Sequence, residues 1–211
     1  MQRTKIMKYN KPSPQTLDLL LEYEVGGGKD YYEKKLSRFT WPGGASGPTI
    51  GIGIDTAYYN SHEIADIFNF LPEDQVRLIQ QASGKTGQRG KDYTRELRKA
   101  NIVVTWDHAI DIFDELTWPK FARAAERAFP GLDELHEDAY GAIVSLVFNR
   151  GTAMKGDSRK EMRIIKMLVP DKQYAKIAKQ IRLMERLWEG KGLDGLLKRR
   201  EAEATLIESI I

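Results

Sequence analysis

The sequence predicts an α+β domain that is mostly helical, with a small sheet near its N-terminal end. Segments with apolar residues at helical spacing fill most of the chain from residue 13 onward. A single stretch, GPTIGIGIDTAYY at 47–59, alternates in the manner of a strand. No run of about 18 apolar residues is present to span a membrane. At 211 residues the chain is long enough to bury a sizeable core.

The elements follow in order. SPQTLDLLLEYE (13–24) carries its apolar residues along one side and runs into three glycines, a strong helix stop. KDYYEKKLSRF (29–39) reads as a helical or extended surface segment. Residues 47–55 form the strand, with a partner expected in 31–46. On it Thr49, Gly51, Gly53 and Asp55 share one face, while Ile50, Ile52 and Ile54 go to the core. A glycine-lined face ending in a carboxylate suits either close approach of a ligand or a bend. LPEDQVRLIQQAS (71–83) opens a helix with a proline and acids in its first turn. TWDHAIDIFDEL, WPKFARAAERAF, HEDAYGAIVSLVF, SRKEMRIIKMLV, DKQYAKIAKQIRLMERLW and LDGLLKRREAEATLIESII all read as helices.

Composition narrows the chemistry. There is no cysteine, so disulfides, thiolate metal sites and cysteine nucleophiles are excluded. His62, His108 and His136 stand far apart, none at ligand spacing, and structural or surface roles are expected; no metal or cofactor is called for. The net charge is +3, yet residues 155–200 hold 14 Lys/Arg against 6 Asp/Glu, a local +8. That excess suits a polyanionic partner or a solvated helical surface. Nothing there interleaves aromatics with base-reading residues, so nucleic acid is not expected. The basic start MQRTKIMKYNKPSPQ has no apolar stretch behind it. The expectation is synthesis in the cytoplasm without a signal peptide and no stable membrane insertion. SGKTG (83–87) lacks the first glycine of a phosphate-binding loop, where Ile79 stands, and GIGIDT lacks the third glycine of a dinucleotide fingerprint.

Two carboxyl groups facing one another can hydrolyse a glycosidic bond, one protonating the leaving oxygen and one activating water or attacking the sugar. Glu24 suits the donor. It closes a leucine-rich helix, where negative charge is disfavoured, with Val25 and the leucines as apolar neighbours. A frayed surface position is the plain alternative, and Glu22 is the competitor. Asp55 is the candidate second acid, although an aspartate there also caps turns; Asp30 and Glu33 are fallbacks. Six residues of straight strand would hold Thr49 and Asp55 roughly 20 Å apart. The chain must therefore bend for them to share a water, and Gly51 and Gly53 are where it can. Tyr58, Tyr59 and Trp41 are candidates to stack on sugars or to pack the core.

A glutamate closing a short helix, a loop and then TIGIG resembles the phage-type lysozymes of glycoside hydrolase family 24. AIVSLVFNRG (142–151) resembles the family's SFxFNxG helix, and GLLKRREAEATLI (195–207) its GLxxRRxxExxL segment. The resemblance spreads over 17–207 in the right order. It implies a single lysozyme-like domain over 1–211: a small β-containing lobe at about 25–60, and a helical lobe from about 61–211 plus the N-terminal helix, with a cleft between. It also implies hydrolysis of the β-1,4 bond between N-acetylmuramic acid and N-acetylglucosamine in bacterial peptidoglycan, in the periplasm or outside the cell, without cofactor, by a monomer.

Carried over, Glu24 matches the general acid and Thr49 the threonine that holds the attacking water. The family's usual aspartate, about six residues before that threonine, is replaced by Gly43, and no acid lies between Glu33 and Asp55. Asp55 takes the place of the histidine in GIGH. The lysozyme domain of pesticin-type bacteriocins resembles this arrangement more closely, its acid also following the TxGxG strand. Inversion is implied, with carboxyls roughly 6.5–9.5 Å apart. Gly51, Gly53, Tyr58 and Asn149 are the expected substrate contacts, Trp188 is expected to pack the C-terminal helices, and Lys198, Arg199 and Arg200 either steer the protein to anionic wall polymers or are solvated. The displaced acid leaves open a non-catalytic peptidoglycan-binding or structural protein on the same fold.

Overall fold

A computed structural model describes residues 7–211, and the first six residues of the basic start lie outside them. The described residues form two compact units, one of residues 24–113 and one of residues 7–23 with 114–211.

The 24–113 unit is built around a hairpin rather than the single strand expected over 47–55. β1 (Thr49–Ile50) pairs antiparallel with β2 (Ile54–Asp55), in a register that places Thr49 opposite Asp55 and Ile50 opposite Ile54. Gly51 and Gly53 make the reversal, with φ of +66° and +78° that side chains disfavour. The bend the sequence demanded is thus a full turn. The alternating face of a straight strand is replaced by a cross-strand pair at its ends. Ile50, Ile52 and Ile54 are buried as expected. The partner sought in 31–46 is reduced to one bridge, with the Thr40 and Thr49 amides donating to each other's carbonyls at 2.8 Å.

Helix α1 (Pro14–Val25) stops at the glycines, and α2 (Gly28–Lys35) follows at once. Its Tyr32 is fully buried, donates to the Val104 carbonyl at 3.0 Å and meets the Trp106 ring edge-on at 5.3 Å. The Gly51 amide donates to the Leu36 carbonyl at 3.0 Å, tying the hairpin turn to the end of α2. Beyond the hairpin come α3 (Ser61–Ile67), α4 (Glu73–Gln80), α5 (Gly87–Lys99) and α6 (Trp106–Ile112). The sequence signalled α4 and α6. It missed α3, whose Asn60/Glu63 capping box was legible, and α5, whose buried positions are Gly90, Thr94 and Leu97, so that Leu97 alone supplies a large apolar side chain.

In the second unit, α7 (Trp118–Ala128) follows a π-helical turn at Phe113–Thr117, and α8 (Glu137–Arg150) is the central element. Every residue of α8 from Asp138 to Val147 is buried, as a helix apolar all round requires. It lies against α7 and against α11 (Asp194–Glu208); α11 lies against α10 (Tyr174–Leu183), and α10 against α9 (Lys160–Leu168). Each large apolar side chain fully withdrawn from water contributes about 1.5–3 kcal/mol. The buried Asp138 at the head of α8 is satisfied by the Ser13 hydroxyl, which donates to it at 2.6 Å.

The basic stretch is less exposed than its sequence suggests. Arg199 and Arg200, expected at the surface, are 3% and 0% exposed, because the register of α11 turns them inward with Glu203. Glu203 Oε1 accepts from Ser145 Oγ at 2.7 Å, Arg200 Nη2 at 2.9 Å and Arg199 Nε at 3.3 Å. Burial works against both charges, pushing the Glu203 carboxyl up and the Arg200 guanidinium down from their ordinary values. Arg182 of α10 holds Glu201 and Glu208 of α11, and Arg186 holds Glu161 and Asp157. Trp188 packs among these helices, with the Arg150 guanidinium 4.8 Å and that of Arg200 5.8 Å from its ring centre.

Removing one partner of a buried ion cluster strands the others, at a cost of about 3–5 kcal/mol. Glu203→Gln is therefore expected to lower unfolding free energy by about 3 kcal/mol in urea titration, while Glu208→Gln, at an exposed pair, leaves the unfolding midpoint where it is in wild type.

Candidate active site

Thr49 and Asp55 are brought together by register. Directly opposed residues of an antiparallel pair project from the same face with Cβ atoms about 4.5–5.5 Å apart. The hydroxyl and the carboxylate, six positions apart in sequence, are thus neighbours. Both residues are half-buried.

The Asp55 carboxylate is held by main-chain donors. The Gly47 amide donates to Oδ2 at 2.9 Å and to Oδ1 at 3.2 Å, and the Ala57 amide donates to Oδ1 at 3.1 Å. Asp55 is therefore the cap of the short helical turn Thr56–Tyr58, the structural task its sequence context suggested. A carboxylate accepts about four hydrogen bonds. With one of these donors on Oδ2 and two on Oδ1, Oδ2 keeps capacity for a water. Thr49 Oγ1 donates to the Gly47 carbonyl at 3.2 Å, leaving its lone pairs available. Gly47 thus fixes both side chains, its N–H holding the acid and its C=O the hydroxyl.

Sequence reasoning missed Gly47, because its contribution is main-chain and no side-chain signal marks it. Its close packing explains the residue type. A Cβ there would lie 2.3 Å from the Ala57 Cβ, 2.7 Å from Asp55 Oδ1 and 2.8 Å from the Lys85 carbonyl.

Glu24 is the penultimate residue of α1, half-buried, in the same compact unit as the hairpin. Glu22 is exposed. Asp30 and Glu33 are exposed on α2, with Glu33 3.9 Å from Lys29. Tyr58 is 68% exposed, its hydroxyl 3.5 Å from the Ala45 carbonyl, and it stands three residues beyond Asp55. Tyr59 is half-buried, and burial pushes its phenol up. Trp41 donates through Nε1 to the Ser46 carbonyl at 2.9 Å, bracing the 41–47 loop that ends at Gly47. Asn149 is exposed at the end of α8, in the other unit. His62 is at the surface, His108 is half-buried with its ring stacked on Phe70 at 3.9 Å, and His136 caps α8, its Nδ1 accepting from the Asp138 amide. Among the described residues no group of His, Asp and Glu is arranged to hold a metal ion, and no helix is long and apolar enough to cross a membrane.

A mostly helical chain with a small antiparallel sheet and a hydroxyl–carboxylate pair on that sheet fits the lysozyme-like class. The phage lysozyme family profile matches residues 73–203, more than half of the chain, and the chain belongs to that family. It is accordingly a glycoside hydrolase, a muramidase that degrades peptidoglycan. The match covers AIVSLVFNRG and most of GLLKRREAEATLI and begins beyond Glu24, Thr49 and Asp55. No curated protein matches the chain.

Gly47→Ala is expected to displace the Asp55 carboxylate and to cost about 1–3 kcal/mol of stability through overpacking. Urea titration reads the stability, and the rate of peptidoglycan clearing reads the displacement, which is expected to fall at least tenfold.

Proposed function

We propose that this muramidase cleaves the β-1,4 bond between N-acetylmuramic acid and N-acetylglucosamine with Glu24 as general acid and with Asp55 and Thr49 activating water. The observation that carries the reading is the Thr49–Asp55 cross-strand pair. In it a hydroxyl acceptor and a carboxylate oxygen with spare capacity lie side by side, both oriented by one glycine. Water held there would donate one proton toward Asp55 Oδ2 and a second hydrogen bond to Thr49 Oγ1, leaving its lone pair for the anomeric carbon. Glu24 protonates the departing oxygen, and the products separate with inversion.

The location of the second acid follows the pesticin-type pattern, with Asp55 in the part played elsewhere in the family by an aspartate at the place of Gly43. Gly53, exposed at the hairpin turn, presents bare backbone to the glycan, whereas Gly51, expected to do the same, is buried beside Tyr32 and Ala109. Tyr58 offers an exposed ring for a sugar face. The protein acts on the wall in the periplasm or outside the cell, as a monomer.

Clearing of purified peptidoglycan by wild type, Glu24→Gln, Asp55→Asn and Thr49→Ala, each checked for folding by circular dichroism, tests the assignment. Glu24→Gln and Asp55→Asn are expected to lose at least a thousandfold, and Thr49→Ala on the order of tenfold to a hundredfold, since positioned acid–base groups contribute about 10²–10⁴ each. Full activity in folded Asp55→Asn would move the second acid to Asp30 or Glu33. Binding without clearing by wild type would favour a wall-binding protein on this fold.

A further inference from the structure

The loop after α8 frames a concavity that the muramidase reading does not use. It encloses about 320 Å³ and is lined by Ala124, Arg127 and Ala128 of α7, Thr152 and Met154 of the loop, and Lys166 of α9. All six belong to one compact unit. Arg127 and Lys166 are exposed, and neither enters an ion pair among the described residues. Glu126, beside Arg127, accepts from the Tyr140 hydroxyl at 2.9 Å.

The wall of this concavity is held by cations whose charge is left over. Arg163 Nη1 donates to the carbonyls of Met154 and Gly156 at 2.9 and 2.8 Å, Arg159 Nη2 to that of Arg150 at 2.8 Å, and Arg150 Nη2 to that of Ser158. Carbonyls satisfy the donors without neutralising the charge. The two acids on this stretch, Asp157 and Glu161, are both taken by Arg186. Arg150 is brought down to about 10, first by burial and then by the charges of Arg159 and Arg200, against the opposing pull of Glu161 and Glu203. A concave surface with one sign of charge concentrates counter-ions of the other.

We propose that this concavity is an oxyanion-binding site. Arg127 and Lys166 flank a carboxylate or phosphate group, the Thr152 hydroxyl donates to it, and Met154, Ala124 and Ala128 take the apolar part of the group that bears it. Resting on the peptidoglycan-hydrolase reading, the ligand is an anionic group of the wall, either a stem-peptide carboxylate or a phosphate of an attached polymer.

The test is co-sedimentation of the full-length protein with purified sacculi on ice, with release of soluble muropeptides measured separately at working temperature. Failure of the site and failure of the muramidase assignment then give different results. Arg127→Gln/Lys166→Gln is compared with Lys176→Gln/Lys179→Gln, which removes the same charge from exposed positions on α10. The first is expected to bind about fivefold more weakly than wild type and the second to bind as wild type does, the size expected of two partly exposed ionic contacts. Sacculi with amidated carboxylates, and sacculi stripped of phosphate polymers by hydrofluoric acid, identify the source by whichever treatment abolishes the wild-type advantage. Equal binding by wild type and the Arg127/Lys166 variant overturns the site. So does an equal loss in the α10 variant, or an advantage that survives both treatments.

Discussion

The proposed chemistry depends on a carboxylate tied to main-chain donors. Asp55 accepts from Gly47 and Ala57, and through those bonds it joins the loop before β1 to the helical turn after β2. This fixes the ends of the hairpin against one another and sets the acid beside Thr49. Charge-assisted bonds of this kind are about twice as strong as neutral ones, so the acid is oriented before any substrate arrives. Capping and catalysis, alternatives when only the sequence is considered, are compatible in space because one carboxylate offers both oxygens.

The tight packing around Gly47 is the cost of this arrangement. The Lys85 carbonyl, the Ala57 methyl and the Asp55 carboxylate all approach where a side chain would begin. The 41–47 loop is braced by Trp41 and by the Gly87 amide, which donates to the Ser46 carbonyl at 3.0 Å. SGKTG, which resembles a phosphate loop in sequence, therefore serves as the buttress of this loop. The second unit shows the opposite use of charge. Arg199, Arg200 and Glu203 are drawn into the interior, where they fix the pairing of α8 with α11. The surplus cations around the loop after α8 remain at the surface.

Much of this was legible in the residues. The long helices showed in their apolar spacing, the stop of α1 in its glycines, and the need for a bend in the conflict between Thr49, Asp55 and a straight strand. The hairpin itself was not legible, since TIGIGID alternates perfectly and only the φ of Gly51 and Gly53 reveals the reversal. Main-chain contributions such as Gly47 leave no side-chain signature. Arg199 and Arg200 read as surface because a pair of adjacent arginines is usually solvated, and their burial depends on Glu203 and Ser145, the latter more than fifty positions away. The motifs shared with lysozymes lie mainly in 142–207, so membership was clearer than the position of the second acid.

If water held by Asp55 and Thr49 attacks the sugar directly, the anomeric centre inverts. The measurement that tests this most directly is proton magnetic resonance of the reducing end released in the first minutes of peptidoglycan hydrolysis, before mutarotation. The α-anomer of N-acetylmuramic acid is the predicted first product. The β-anomer would mean retention, a route through a glycosyl–enzyme or substrate-assisted intermediate, and would contradict direct attack by a water that the Thr49–Asp55 pair activates.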